Sequence, residues 1–198
     1  MDIIGVSVPR IDAVDKVTGR AAYVGDLEVS GMLHGKILRS PLPHAVITGI
    51  DTSEALKLPG VVAVLTRGDL EGLDPFYGAV VRDRPFIATD KVRYQGEPVA
   101  AVAAVDLATA EEALELIQVD YEELPVVSDT VEALAGTGAT VHETNLCNES
   151  GYEWGDVDAA FAKADHVFED TFTFPMVYHY AMEPHTCIAS FEGDRIRT

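Results

Sequence analysis

The chain has 198 residues, 47% of them hydrophobic, which is enough to bury ~70% of its unfolded surface in one or two domains and excludes a wholly disordered polymer. Thirty-three acidic residues against 14 basic ones give a formal net charge of −19, a balance that repels nucleic acid and reads as solvated surface. No apolar run approaches the ~20 residues of a membrane span, and the N-terminus lacks a cationic start followed by an apolar stretch, so the expected compartment is the cytoplasm.

Residues 1–32, the N-terminal arm, mix charge with isolated apolar side chains and are expected to be an extended arm or loop. From Leu33 the pattern changes. Short apolar runs at 33–39 and 46–50 are broken by Ser40-Pro41-Leu42-Pro43, as strands are broken by a turn. Asp51-Thr52-Ser53-Glu54 then supplies a capping side chain and an acid in a first turn, which predicts a short helix to about Leu58, ended by Pro59-Gly60. Val61-Val62-Ala63-Val64-Leu65 has the length and branching of a strand, and the Gly- and Asp-rich stretch 67–83 reads as a long loop. Residues 98–105 are apolar on both faces, which predicts a central strand. A helix follows, with Thr109 and Glu112 at capping-box spacing and Leu107, Ala110, Leu114 and Ile117 on one face; residues 117–121 return as a strand.

Polar residues 136–150 are expected to link two units, so that 33–135 forms the first domain and 151–198 begins a second. In the second, Asp156 caps a helical pattern over 157–164. Residues 167–174 alternate like a strand with Phe168, Phe172 and Phe174 on one face, and 186–191 is expected to pair with it antiparallel. About fifty residues are too few for such a strand-rich unit to close a core. The last segment is therefore expected to be the truncated start of a larger domain, marginal alone or self-associating. The fold class is α+β, mixed strands with short helices.

The motifs for phosphate cradling, dinucleotide binding, zinc proteolysis and serine hydrolysis are absent from the sequence. Two cysteines, Cys147 and Cys187, are too few for a common iron–sulfur cluster. His179, His185 and Cys187 bring three metal-ligand types into nine residues, but Met182-Glu183-Pro184 between them aims the side chains at different faces, and a structural role is the better reading. His34, His44, His142 and His166 are isolated in sequence. The pairs Glu111-Glu112 and Glu122-Glu123 are chain neighbours that point apart, as a solvated face does. Arg93-Tyr94-Gln95-Gly96-Glu97-Pro98 has two readings. In one it is a structural turn, with Gly96 for unusual dihedrals, Arg93 paired with Glu97 and Pro98 opening the strand. In the other it is a strand-edge loop carrying binding groups.

Ser7-Val8-Pro9-Arg10-Ile11-Asp12 and the run on to Tyr23 resemble the opening of the large subunit of the molybdenum hydroxylases, the xanthine dehydrogenase and aldehyde oxidase family. The likeness continues through Arg39-Ser40-Pro41, Leu58-Pro59-Gly60-Val61, Val92-Arg93-Tyr94-Gln95-Gly96-Glu97-Pro98-Val99-Ala100 and Val119-Asp120-Tyr121-Glu122-Glu123-Leu124-Pro125. Those segments resemble the family's α/β hammerhead domain. Gly155-Asp156-Val157-Asp158-Ala159-Ala160-Phe161 and Met182-Glu183-Pro184-His185 are similar to the start of its molybdopterin-binding domain.

The resemblance implies an oxidoreductase that hydroxylates a heterocycle or an aldehyde at a pterin-bound molybdenum and passes electrons through iron–sulfur clusters to FAD on partner domains or subunits. It also implies that the pterin loops and the catalytic glutamate lie beyond the stretch of the family that this sequence resembles. No catalytic, cofactor-binding or metal residue is therefore assigned to this chain, which is expected to bind no cofactor and to be inactive alone. The expected partners are the remaining domains of the large subunit and the iron–sulfur and flavin subunits, with neither nucleic acid nor membrane among them. A separately encoded small subunit and a non-catalytic assembly module are the alternatives. Substrate choice among purines, aldehydes, carbon monoxide and N-heterocycles stays open.

Overall fold

A computed structural model describes residues 4–79 and 81–198; the first three residues of the opening segment and Val80, inside the stretch read as a loop, lie outside the described residues. Two compact units emerge, one spanning Gly31–Val157 and one made of the chain's start up to Ser30 together with Asp158–Thr198. The opening segment is not wholly extended. It holds helix α1 (Ala13–Val17) and a 3-10 turn, Val24–Asp26. Lys16 pairs with Asp12 at 2.8 Å and Arg20 with Asp15 at 3.2 Å, so local charge pairs support a helix of five residues, too short for any apolar period to reveal.

The Gly31–Val157 unit is built on strands β1 (His34–Arg39), β2 (Ala45–Asp51), β3 (Val61–Leu65), β4 (Phe76–Tyr77), β5 (Arg84–Pro85), β6 (Lys91–Val92), β7 (Pro98–Ala104) and β8 (Gln118–Glu123). Strand β7 is central, as its two-sided apolar sequence requires, with β1 and β3 antiparallel on either side. Helix α2 (Leu107–Glu115) covers that sheet. Ala110 and Ala113 meet Ala100, Val102 and Ala104, with Ala55 and Ile117 completing the buried cluster. Small residues on both surfaces let helix and sheet approach closely.

A second sheet, in the order β6-β2-β8, closes over Ala45, Ile47, Ala88, Val92 and Val99. Ile50 and Val119 pack against both clusters, so the two sheets share one interior. The architecture is the expected mixture of strands with few helices. Among the described residues no helix is long and apolar enough to cross a membrane.

Four local expectations are corrected. The residues after β2 form a single 3-10 turn, Ala55–Lys57, rather than a helix capped by Asp51; Asp51 ends the strand, and its carboxylate accepts from the Ser53 N–H at 2.9 Å. Pro59 leaves no room for more. Helix α2 begins earlier than the Thr109 and Glu112 spacing suggests: Asp106 is the N-cap, accepting from the Thr109 N–H at 2.8 Å. The 67–83 stretch is not all loop, since a 3-10 turn at Arg67–Leu70 is capped by Thr66 and β4 pairs antiparallel with β5.

The fourth lies near the C-terminus. After helices α3 (Thr130–Ala135) and α4 (Val157–Lys163) come strands β9 (Ser190–Glu192) and β10 (Arg195–Arg197). Strand β9 pairs with β10 around Gly193, whose φ is +68°, and not with 167–174, which has no strand structure. A hairpin closed by two residues has little loop entropy to overcome, whereas the expected pairing had to close a longer loop.

Candidate functional site

The turn from β6 into β7, residues 93–97, gathers most of the unit's unusual chemistry. Glu97 is only 1% exposed, a rare burial for a carboxylate. Its side chain accepts the backbone N–H of Arg93, and the Tyr94 N–H also supports it. Burial pushes the Glu97 carboxyl above the usual carboxylate range, against the lowering effect of those N–H groups and of the Arg93 charge.

Three further bonds clip the turn to the end of β1: Gly96 N–H to Ser40 O at 2.8 Å, Ser40 N–H to Glu97 O at 2.9 Å and Arg39 Nη1 to Gly96 O at 2.9 Å. Gly96 sits at φ +91°, a conformation that a side chain would strain. Pro98 opens β7, where a missing N–H is tolerated. The geometry is that of a structural turn, with one correction to the sequence reading. Arg93 pairs with Asp90 at 3.0 Å and donates to Lys91 O at 3.0 Å, while Glu97 takes the Arg93 backbone and not its guanidinium.

Beside the turn lies an open cavity of about 670 Å³ lined by Arg84, Tyr94, Glu97, His142 and Asn145 among others. Asn145 shapes one wall, donating to Ala139 O at 2.8 Å and accepting from the Val141 N–H at 3.0 Å. His142 Nε2 stands 3.9 Å from Asp83. Because the Glu97 carboxylate is engaged by backbone N–H groups, it offers no free base to the cavity.

The remaining candidates are placed apart. His179, His185 and Cys187 are exposed, and among the described residues no three His, Cys, Asp or Glu side chains form a group that could hold a metal ion. Glu111 pairs across to Lys36 at 2.7 Å, and Glu122 and Glu123 lie exposed on β8 opposite Val46 and Ala45. His44 is the histidine that isolation in sequence conceals. It is 5% exposed, with Nδ1 2.7 Å from Pro125 O and Nε2 3.2 Å from Lys91 Nζ, so it ties the ends of β2, β6 and β8 together.

Comparison with known proteins gives this geometry a context. The profile of the aldehyde oxidase and xanthine dehydrogenase a/b hammerhead domain matches residues 18–125, and that of the molybdopterin cofactor-binding domain matches 140–198. A probable xanthine dehydrogenase subunit of Bacillus subtilis is 44% identical over 186 residues, covering 93% of this chain and 25% of its own length. The nicotine 6-hydroxylase large subunit of Paenarthrobacter nicotinovorans is 38% identical, with 99% of this chain and 25% of its own length covered. Among solved structures, the Cu,Mo-CO dehydrogenase in its carbon monoxide reduced state superposes with a TM-score of 0.70 at 36% identity, over 81% of this chain and 22% of that one. The chain thus spans about a quarter of the length of these relatives.

Proposed function

Since the chain belongs to the aldehyde oxidase and xanthine dehydrogenase family, we propose that it is the scaffold portion of the molybdenum-binding large subunit of a cytoplasmic oxidoreductase. The whole enzyme would hydroxylate a heterocycle or an aldehyde oxidatively. The observation that carries this reading is the joint match of two family domains, in order, along a chain whose first domain has its own closed core. Residues 33–135 are the hammerhead domain in this proposal, 1–32 its N-terminal arm, 136–150 a connecting segment, and 151–198 the start of the molybdopterin-binding domain.

The residues present do not by themselves fit a pterin-bound molybdenum. None of residues 158–198 is buried, and the shallow cavity formed by Lys16, Tyr23, Met182, Pro184 and their neighbours carries Asp26 and Glu183, whose charges oppose a phosphate. When bound, the group would supply the oxygen-transfer and redox chemistry, held by parts of the longer protein. This chain's contribution is a rigid domain and surfaces for the remaining domains of the large subunit and for iron–sulfur and flavin subunits.

A domain exchange tests the reading. Residues 33–135 are grafted in place of the matching stretch of the Bacillus subtilis relative. Recovery of an assembled complex that retains molybdenum supports the scaffold role, and a folded graft that prevents molybdenum retention overturns it.

A further inference from the structure

An antiparallel sheet that meets water on one side alternates apolar and polar residues, and the β1-β7-β3 sheet does not. Its inner face lies under α2, where Leu38, Val61 and Val64 flank Ala100, Val102 and Ala104 in the first buried cluster. The register sets the intervening residues on the other face. Gly35 and Ala63 lie opposite Ala103, and Ile37 and Leu65 lie opposite Ala101. None of these residues has a polar side chain, in a chain in which 24% of residues are charged. The second buried cluster closes that face at Val99. Arg39, past an irregularity in the β1 register, is held at the margin by its bond to Gly96 O.

Among the described residues the rest of that face stays open. Ile37 and Leu65 are 46% and 38% exposed. Gly35 and Ala63 are exposed, and Ala101 and Ala103 are half-buried. Glycine and alanine make the middle of the face flat, and Ile37 and Leu65 border it. The inner face shows what such a surface accepts: a helix that brings Ala110 and Ala113 against Ala100, Val102 and Ala104.

We propose that this face is an interdomain surface, covered by an apolar helix with small residues from the part of the longer protein outside the stretch matched here. The proposal rests on the scaffold role proposed for the chain. The matched stretch is about a quarter of the relatives' length, so most of such a protein is available to cover the face. A second copy is the poorer occupant, because two chains of net charge −19 repel each other. A charged segment would lose its hydration against a face with no polar side chain to pair with.

The test places Ala63→Glu both in the 198-residue chain and in the graft of residues 33–135 into the Bacillus subtilis relative. In the isolated chain the new carboxylate meets water, and Tm is expected to shift by less than about 2 °C. In the graft it is buried without a partner, and the yield of assembled complex on gel filtration is expected to fall about tenfold. Ala63→Ser, which stays small and uncharged, and Lys57→Gln, on the ion pair with Glu54, are expected to assemble as the native graft does. Equal assembly of the Ala63→Glu and native grafts overturns this proposal and leaves the scaffold role standing. Failure of the native graft to assemble overturns both. Loss of the isolated chain's fold on Ala63→Glu overturns the proposal too, since the face is then already covered. So does an isolated chain that is dimeric and becomes monomeric on Ala63→Glu, since the occupant is then a second copy.

Discussion

Glu97 shows how a chemically suggestive residue can serve architecture. Its motif was legible as a turn because Gly96 and Pro98 have few other uses beside an apolar strand. That the carboxylate reaches for backbone N–H groups, and not for the guanidinium four residues before it, depends on burial, which spacing does not encode. Its raised titration has a definite sign. The folded state holds the Glu97 proton more tightly than the unfolded state does, so this group's contribution is greatest below the ordinary carboxylate range and is lost as pH rises through the folded pKa. Glu97→Gln removes the ionisation while keeping an acceptor. Thermal melts of both proteins from acid to neutral pH should show the variant's Tm, relative to the parent, improving as pH rises; a difference that stays constant with pH contradicts the assignment.

Gly60 makes a stricter demand. Its φ is +98°, and a Cβ there would lie 3.0 Å from Val105 Cγ2 and 3.2 Å from Thr109 Cγ2. Gly60→Ala should therefore cost about 1–3 kcal/mol in urea denaturation. Gly72→Ala should cost less: its φ is also positive, at +80°, but nothing lies within 4 Å of the added atom. Equal losses would mean that crowding against α2 is unimportant.

At the scale of elements, legibility followed length. Strand β7 and helix α2 declare themselves because seven apolar residues in a row and a nine-residue amphipathic run are long enough to show a period. Strands β4, β5 and β6 have two residues each, so tertiary contacts decide them, and helix α1, held by local charge pairs, is at five residues too short to show a period. The start of α2 lies three residues before the capping-box spacing because both Asp106 and Thr109 are good capping types, and only the first is aimed at an orphan N–H. Asp106→Ala should lower Tm by several degrees, whereas Thr109→Ala, which leaves that cap's N–H donor in place, should change it little. The reverse order would restore the original capping box. The core is equally exacting: Val102 is 2% exposed at the centre of β7, and Val102→Ala should cost about 1–3 kcal/mol by chemical denaturation.

For the whole molecule, buried surface is distributed unevenly. Among the described residues, every buried residue of the core lies between Gly31 and Val157, while Phe168, Phe172 and Phe174 are 86%, 78% and 85% exposed. Spacing alone made these rings look like one face of a strand, but strands need a partner, and the nearest hairpin forms without them. Exposed aromatic surface on this scale favours association. Hydrogen exchange should find 167–182 unprotected in dilute protein and slowed as concentration rises, with β7 and α2 slow throughout; strong protection of 167–182 in a strictly monomeric sample would show that this segment closes by itself.

The family likeness was legible because it rests on motifs spread across nearly the whole chain, and two domain profiles bear it out. The candidate site was less legible: its 93–97 turn is contiguous, but Arg84, His142 and Asn145, which line the cavity beside it, are scattered in sequence and only the fold brings them to that turn. The central claim, a scaffold that leaves metal chemistry to the rest of a longer protein, is tested most directly by elemental analysis of the purified 198-residue chain expressed in a molybdate-supplied host. The expected result is molybdenum far below stoichiometric amounts in a sample whose hammerhead core is folded. About one molybdenum per chain, retained through gel filtration, would contradict it.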